Sequence, residues 1–350
     1  MKTRWIAGGK IAGETSPVAL RVVEGRIAAR APKPPEGADV LDVSGHWLCP
    51  MVLDAHVHLA FVAGLKEPLP EDAQARLVSL SKTLVSQGVA AVLDLGMPVS
   101  ALPLAQRLAP LTVITAGPLL CAPRGYPTQS WGAGGFGLEL DSEHAAREAV
   151  AKVVSLGATL VKLSLDARFP LLKPEVAKAA ADEAHRRGLT VCAHALEVAG
   201  VRAALAAGVD VLAHTPAEPL PEALVKDLGA RKVTVLSTLH AFGGSEALLD
   251  NLARLKGAGA RVVYGTDLGN QDTAPTVLEA ELTLLERAGL SPQEIVHACT
   301  LEAAKLMGLR ELGTLTEGAR AQLLVLPEDP MRDATVLSRP AFVIVGGERV

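Results

Sequence analysis

The chain has 350 residues, 49% of them hydrophobic, so it can bury a large core in one large domain with a smaller one, or in two domains. Its formal net charge is −4, from 34 basic and 38 acidic residues, and no basic patch stands out, so we expect no nucleic-acid partner. MKTRWIAGGK lacks an apolar core of signal-peptide length, and no later apolar run could span a bilayer, so we expect a cytoplasmic protein without membrane contact.

The first 48 residues have the pattern of short strands separated by turns. Gly8-Gly9 and Glu24-Gly25 are the expected hairpin turns. The same pattern returns at the C-terminus in AQLLVLP and AFVIVGGERV. The two ends therefore predict one small β-sandwich domain, composed of residues 1–48 and 312–350.

Residues 49–311 alternate between apolar strand-like runs and segments with helical spacing. The helical segments are expected at 72–87, 143–156, 174–187, 198–207, 245–258 and 275–289. Several end at a glycine just before the next strand, as a helix C-terminus does. Eight such strand-then-helix units predict a (β/α)8 TIM barrel. A doubly wound sheet is the structural alternative, and the lack of GxGxxG after the first strand disfavours it.

Polar side chains interrupt the apolar strands of the predicted barrel at corresponding points. In MVLDAHVHLAF, Asp54, His56 and His58 share one face of a strand, because side chains alternate along it. Buried imidazoles and acids need partners, and a metal ion would pair with them. Six metal-capable side chains lie at the ends of five strands, where a barrel has its active site: His56, His58, Lys162, His194, His214 and Asp267. Together they predict a metal site.

These motifs resemble the amidohydrolase superfamily of metal-dependent hydrolases, in its binuclear branch and its prolidase-like and imidazolonepropionase-like group. LCPMVLDAHVHL resembles the family's HxH signature on the first strand. TLEAAKLMGLRELGTLTEGARAQLLVL resembles its exit from the barrel into the terminal β domain. The sequence departs from the family at Gln322, where Asp is common, but that position lies outside the predicted active site.

The resemblance implies a role for each candidate ligand. His56 and His58 would bind the more buried of two divalent metal ions together with Asp267, and His194 and His214 the more exposed one. Lys162 would react with CO2 and bridge both ions as a carbamate, since buried lysines deprotonate readily; an unmodified structural lysine is the alternative. Imidazoles suit zinc, although nickel, cobalt, manganese and iron are not excluded. Asp267 would act as general base and then acid for hydroxide attack.

The substrate side is predicted from the loop after the third strand, AGPLLCAPRGYPTQSWGAGGFG, whose length is typical of a binding loop. Tyr126 matches a family position that points at the substrate, and Arg124 could hold a carboxylate. His240, after the seventh strand, would face the mouth. Asp54 would support a ligand from behind. Each of the four also has a structural explanation as an ordinary loop or buried residue.

Three functions follow. The first is hydrolysis of an amide-type C–N bond in a small molecule such as a dipeptide or an N-acyl amino acid. The second is a mononuclear deaminase or cyclic-amide hydrolase resembling imidazolonepropionase, for which Glu197 in HALE would donate a proton; Glu197 could equally be a favourable charge in the first turn of a helix. The third is a non-catalytic barrel that only binds. We expect a small-molecule substrate, and family members are often homo-oligomers.

Overall fold

The computed structural model describes residues 3–270 and 272–350. In the described residues the strands are β1 (Thr3–Ile11), β2 (Pro17–Val23), β3 (Arg26–Ala31), β4 (Val40–Asp42), β5 (Trp47–Pro50), β6 (Val52–Val57), β7 (Val89–Asp94), β8 (Thr112–Thr115), β9 (Leu119–Cys121), β10 (Gly137–Glu139), β11 (Leu160–Ser164), β12 (Thr190–His194), β13 (Val211–Leu212), β14 (Thr234–Leu236), β15 (Arg261–Val263), β16 (Gln322–Leu326), β17 (Phe342–Val345) and β18 (Glu348–Arg349). The helices are α1 (Leu59–Val62), α2 (Ala73–Ser86), α3 (Leu102–Ala105), α4 (Glu143–Ser155), α5 (Pro174–Arg186), α6 (Val198–Ala207), α7 (Glu222–Ala230), α8 (Glu246–Gly257), α9 (Glu279–Arg287), α10 (Pro292–Cys299) and α11 (Leu301–Met307).

Strands from both ends of the chain form a single eight-stranded sheet. Its order is β18-β17-β16-β5-β1-β2-β3, with β4 paired to β1. The N- and C-terminal parts join where β5 pairs antiparallel with β16, Cys49 opposite Leu324. The two ends thus come together as expected, whereas a sandwich of two packed sheets stays a prediction. A core of buried aliphatic side chains from both ends packs on this sheet, including Ile6, Leu20, Leu323 and Ile344.

One predicted hairpin turn is wrong. Gly8 and Gly9 lie inside β1, where the register with β2 shifts between Ala7 and Lys10 as at a β-bulge. The backbone needs glycine at position 8, because its φ is +93° and a Cβ there would lie 2.2 Å from the Ser44 hydroxyl oxygen. The other predicted turn, Glu24-Gly25, does connect β2 and β3.

Eight parallel strands follow one another around the predicted barrel: β6, β7, β8, β11, β12, β13, β14 and β15. The strands β11 to β15 pair in parallel in chain order. Hydrogen bonds close the ring on either side: the Thr159 amide donates to the Thr115 carbonyl at 3.1 Å, and the Ala55 amide donates to the Tyr264 carbonyl at 3.0 Å. This connectivity is that of a (β/α)8 barrel.

The helices lie close to the segments expected from periodicity. α6 (Val198–Ala207) ends at Gly208, whose φ of +86° is the left-handed conformation that suits glycine at a helix C-terminus. α10 begins with a capping box in which the Ser291 hydroxyl accepts from the Glu294 amide. The last predicted helix, 275–289, is shorter than expected, since α9 begins only at Glu279.

The chain divides into two compact units. The first contains residues 1–54, 82–91 and 275–350; the second contains 55–81 and 92–274. The boundaries predicted at residues 48 and 312 remain a prediction. Among the described residues, no helix combines the length and apolar character needed to cross a bilayer.

Candidate metal centre and active site

Three predicted ligands converge at the end of β6. The Nε2 atoms of His56 and His58 each lie 3.3 Å from Oδ1 of Asp267. One ligand atom from each of the three side chains fits within 4.8 Å of the others, and all three side chains are buried. Donor atoms bonded to one zinc ion at about 2.0–2.2 Å lie roughly 3 Å apart, so this geometry fits a shared cation.

Hydrogen bonds and close packing orient the imidazole rings of His56 and His58. The His56 Nδ1 donates to the Ala213 carbonyl at 2.8 Å, which leaves the Nε2 lone pair facing Asp267. The His58 Nδ1 lies 3.4 Å from the Gly96 carbonyl. Gly96 has no side chain to displace this ring: a Cβ there would come within 2.7 Å of the His58 Nδ1. The two nitrogens that face Asp267 are therefore held as metal ligands would be.

Asp267 follows β15 in an unusual backbone conformation. Its φ is +56°, in the left-handed region that costs a non-glycine residue free energy and is often found at functional sites. Its amide donates to the His56 carbonyl at 2.9 Å, which ties the turn to β6. Burial alone would raise the pKa of Asp267, but the charges and hydrogen bonds of the neighbouring imidazoles outweigh it and hold that pKa well below its usual range. The carboxylate is thus ionised.

The second predicted pair also meets. The His194 Nδ1 lies 2.9 Å from the His214 Nε2, at the ends of neighbouring strands. The His214 Nδ1 lies 3.0 Å from the Thr238 hydroxyl. Burial lowers the pKa of both His194 and His214, so these imidazoles are neutral at pH 7. Two neutral imidazoles with nitrogens this close fit ligation of one cation, the state in which histidine binds metals.

Lys162 lies on β11 between these groups. Its side chain is 1% exposed and lines the same cavity as His58, His194 and Asp267. Burial lowers the pKa of this ammonium, while the Cys192 thiol and Asp267 oppose that shift. A lysine with a lowered pKa holds more neutral amine, which is the form that reacts with CO2.

The three predicted substrate contacts lie in different surroundings. Tyr126 lines the cavity and stacks on His194, with ring centroids 4.6 Å apart. Arg124 has an exposed position on the loop, and its backbone amide donates a hydrogen bond to the Glu139 carboxylate. His240 is half-buried in a 3-10 turn, with Nε2 3.3 Å from the Asp272 carbonyl. Only Tyr126 of these three is among the described residues that line the cavity.

The two remaining predicted residues lie in other surroundings. The Glu197 carboxylate accepts from the Ala167 amide at 3.2 Å and lies 3.3 Å from the Arg168 Nε. Glu197 is also the residue that precedes α6. Asp54 is 2% exposed, and its charge raises the pKa of the Cys299 thiol after the larger effects of burial and of Cys49. The roles expected for Glu197 and Asp54 stay predictions.

Sequence reasoning missed three residues beside the ligands. Asp166 places Oδ2 3.4 Å from the His194 Nε2 and accepts two hydrogen bonds from the Arg168 guanidinium, at 3.0 and 2.7 Å. Asp94 accepts from the Leu59 amide, next to His58, at 2.7 Å. Trp131 lies with its ring centroid 4.9 Å from that of His58. Asp94 and Asp166 do end barrel strands in VLDLG and LSLD, a signal that could have found them.

A cavity of about 260 Å³ opens over these groups. Its described lining residues are His58, Phe61, Leu119, Tyr126, Trp131, Lys162, His194, Asp267, Gly269 and Asn270. Four proposed ligands thus face a space that also has aromatic and aliphatic walls. A concave apolar pocket with a few convergent polar groups is the usual form of a small-molecule site.

Comparison with known sequences gives the family. The profile of the Amidohydrolase family matches residues 47–350. An uncharacterized protein of Mycobacterium tuberculosis is 28% identical over 356 residues, which cover 94% of this chain and 91% of that protein. The ochratoxinase of Aspergillus niger is 28% identical over 242 residues, covering 61% of this chain and 50% of that protein.

Solved structures share the fold. A Xaa-Pro dipeptidase crystallised with methionine in its active site has a TM-score of 0.83 at 18% identity, over 100% of both chains. The crystal structure of the Aspergillus niger ochratoxinase has a TM-score of 0.79 at 21% identity, over 100% of this chain and 96% of that one. The fold and the cavity at its strand ends are those of a TIM-barrel-type α/β enzyme. The chain belongs to the amidohydrolase family and is a hydrolase of carbon–nitrogen bonds.

Proposed function

We propose that this protein is a metal-dependent amidohydrolase that uses two divalent cations, zinc in the first place, and a carbamylated Lys162. The observation that carries the proposal is the convergence of a His56, His58 and Asp267 cluster, a His194–His214 pair and a buried lysine. Such donors fit cations, whereas an ammonium repels them, and carbamylation would convert Lys162 into an anionic bridging ligand.

The side chains have separate roles in this proposal. His56 and His58 would hold one cation with Asp267, and His194 and His214 the other. The bound cations would supply Lewis-acid polarisation of the substrate carbonyl and a lowered pKa for a water molecule. Asp267 accepts the proton of that water and passes it to the leaving nitrogen, for which an ionised carboxylate is required.

In this proposal Tyr126 would orient the substrate. Its hydroxyl accepts a hydrogen bond from the Trp131 Nε1 at 2.6 Å, so its own proton can be donated to a substrate oxygen. Burial raises the pKa of Tyr126, which keeps the phenol protonated. The substrate would be a small molecule with an amide-type bond, a dipeptide or an N-acyl amino acid being the first candidates. Arg124 and His240 would contact the substrate at the mouth of the barrel.

The remaining expectations are part of the same proposal. Residues 1–48 and 312–350 would form a composite β-sandwich domain beside a barrel of residues 49–311. The protein would work in the cytoplasm on a small molecule, without a nucleic-acid or membrane partner, and as a homo-oligomer.

Replacing Lys162 tests the proposal. We expect Lys162→Ala to reduce bound metal from about two ions per chain towards one or none and to lower turnover of an amide panel by at least about a hundredfold. Elemental analysis of the purified protein and initial rates are the measurements. Lys152→Ala, at an exposed position on α4, is the matched control and should change neither.

A second readout addresses the carbamate itself. Protein stripped of metal and reloaded with zinc should regain activity faster when bicarbonate is present, and the mass of Lys162 should increase by one CO2. Unchanged metal content and turnover in Lys162→Ala would refute the mechanism. One ion per chain with Lys162 dispensable would instead support a mononuclear deaminase or cyclic-amide hydrolase, and neither metal nor turnover would support a non-catalytic binder.

A further inference from the structure

Aromatic side chains are rare in this chain and are concentrated at the site. The sequence contains only five Phe, three Trp and two Tyr. Six of these aromatic rings make ring contacts with one another or with the ligand histidines: Phe61, Tyr126, Trp131, Phe136, Phe169 and Phe242. Four of them lie on loops rather than on barrel strands or helices. The few aromatic rings of this chain therefore supply much of the apolar surface around the cavity.

Trp131 and Phe61 form the outer wall of the cavity. Their ring centroids are 5.2 Å apart in an edge-to-face arrangement, and each also contacts the buried ring of Phe136, at 5.4 and 5.9 Å. Phe61 is 37% exposed, so this wall continues from the interior to the mouth. An exposed phenylalanine beside a half-buried tryptophan leaves apolar surface for a ligand to cover.

The polar atom of Trp131 is already satisfied, because its Nε1 donates to the Tyr126 hydroxyl. Trp131 can therefore offer a ligand only its apolar face and edges. Gly269 lies against Phe61 and His58: its φ is +122°, and a Cβ there would lie 3.4 Å from the Phe61 Cδ1 and 3.1 Å from the His58 Cβ. The result is a slot beside His58 with an aromatic wall.

The volume of the cavity indicates the size of the chemical group that it can hold. Its volume is about 260 Å³. An empty apolar cavity of about 150 Å³ is enough to bind benzene. The space over the ligands is therefore large enough for one six-membered ring together with an amide group.

Charge limits the ligand as well. Among the described lining residues, Lys162 is the one cationic side chain, and the proposed function converts it into an anion. Arg168 is committed to Asp166 through two hydrogen bonds and to Glu197 at 3.3 Å. Apart from the proposed cations, which the scissile amide would occupy, the described lining residues thus offer no guanidinium to pair with a substrate carboxylate in the slot.

The slot lies on the side of the leaving nitrogen. The Asp267 Oδ1 is 3.3 Å from the His58 Nε2, and the Trp131 ring contacts the same imidazole, with ring centroids 4.9 Å apart and ring planes inclined by 60°. Asp267 is the group that protonates the departing amine in the proposed function. A substituent on the amide nitrogen is therefore the part of the substrate that reaches Trp131 and Phe61.

From these observations we infer that Trp131 and Phe61 form a binding subsite for one uncharged, flat, aromatic group carried on the leaving nitrogen. The subsite narrows the substrate class of the proposed function: compact anilides and similar N-aryl amides and carbamates would be preferred to the dipeptides and N-acyl amino acids named there as first candidates. This inference rests on the proposed function only for the orientation of the substrate, since ring binding itself requires no catalysis.

The test compares acetanilide with N-cyclohexylacetamide by ligand-observed NMR titration of metal-stripped protein. The two molecules match in size and charge but differ in aromaticity. We expect acetanilide to bind about threefold to tenfold more tightly, the gain of an aromatic pair. Trp131→Leu should abolish that preference, Trp131→Phe should retain most of it, and Phe342→Leu, in the terminal sheet, should leave it unchanged.

Turnover by the zinc-loaded protein then tests whether the aromatic ring lies on the nitrogen side or on the carbonyl side of the amide bond. Acetanilide should have a higher kcat/KM than N-methylbenzamide, whose ring is on the carbonyl side, and than N-acetylglycine. Equal NMR affinities for the matched pair, or an unchanged preference in Trp131→Leu, would overturn the subsite whether or not amides are hydrolysed. Faster turnover of N-methylbenzamide would overturn its placement. Ring-selective binding without hydrolysis of any amide would refute the proposed function and leave the subsite intact.

Discussion

Asp166 contacts the proposed ligand His194 and is not itself a proposed ligand. Its carboxylate lies 3.4 Å from the His194 Nε2, and the side chain is fully buried. Burial would raise the pKa of Asp166, but the contacts with His194 and Arg168 hold that pKa well below its usual range. An anion at this point favours the proton on Nε2 and leaves the Nδ1 lone pair beside His214.

We therefore expect Asp166→Asn to weaken binding of the second cation by about tenfold to a hundredfold, with a parallel loss of turnover at limiting zinc. Zinc titration against a competing chelator measures the affinity. Asp182→Asn, on the exposed face of α5 where Asp182 pairs with Lys178, is the control. A variant with unchanged zinc affinity but a lower melting temperature would show that Asp166 only stabilises the fold.

The convergence of the candidate ligands could be predicted from the sequence, whereas the residues that surround them could not. His56, His58, His194 and His214 stand in apolar strands, where a polar residue requires an explanation. Trp131 lies in a glycine-rich loop, and its place over His58 depends on how that loop folds. Periodicity carries no information about such a path, because a loop has no fixed repeat.

Among the structural elements, β7 supports the start of α1 through one buried carboxylate. Asp94, at the end of β7, accepts from the Leu59 amide at 2.7 Å and from the Gly96 amide at 3.0 Å. Burial raises the pKa of Asp94 to about 6, although the charge of His58 and these hydrogen bonds oppose the shift. The Asp94 carboxylate therefore positions the segment after His58. Its ionisation in this buried place lowers the stability of the folded state.

The sign of this effect gives a pH prediction. Between about pH 4 and pH 6 the folded state binds more protons at Asp94 than the unfolded state, so the stability contributed by this group falls as pH rises through that window. Relative to Asp94→Asn, the metal-stripped wild-type protein should lose about 2 kcal/mol of unfolding free energy between pH 4 and pH 7. Urea titrations at four pH values measure it. If the unfolding free energies of the two proteins changed in parallel with pH, the stability effect assigned to Asp94 would be contradicted.

The elements themselves were predictable to different degrees. Helical spacing gave α6 at its observed bounds, because its apolar face repeats and a glycine ends it. Gly8-Gly9 misled the prediction because glycine marks bulges as well as turns. Two short strands were also missed, β9 within the predicted binding loop and β10 at its end, since three residues are too few to show an alternating pattern.

Considered as a whole, the molecule should gain stability from its proposed cations, because their ligands come from strands far apart in the chain. Cations held at a hundred times their dissociation constant would stabilise the folded state by about 2.7 kcal/mol each. We expect a strong chelator to lower the melting temperature by about 5 °C or more, and added zinc to restore it. Calorimetry with and without chelator measures the change, and Lys162→Ala should respond less. An unchanged melting temperature after complete metal removal would contradict this expectation.

The pairing of β5 with β16 has a consequence for how the protein is made. β5 ends at Pro50, and its antiparallel neighbour begins only at Gln322. During translation the ribosome therefore releases every proposed ligand, up to Asp267, long before it delivers the strand that covers β5. Until then the nascent chain carries an open sheet edge, which is the kind of surface that chaperones shield and that misassembly exploits.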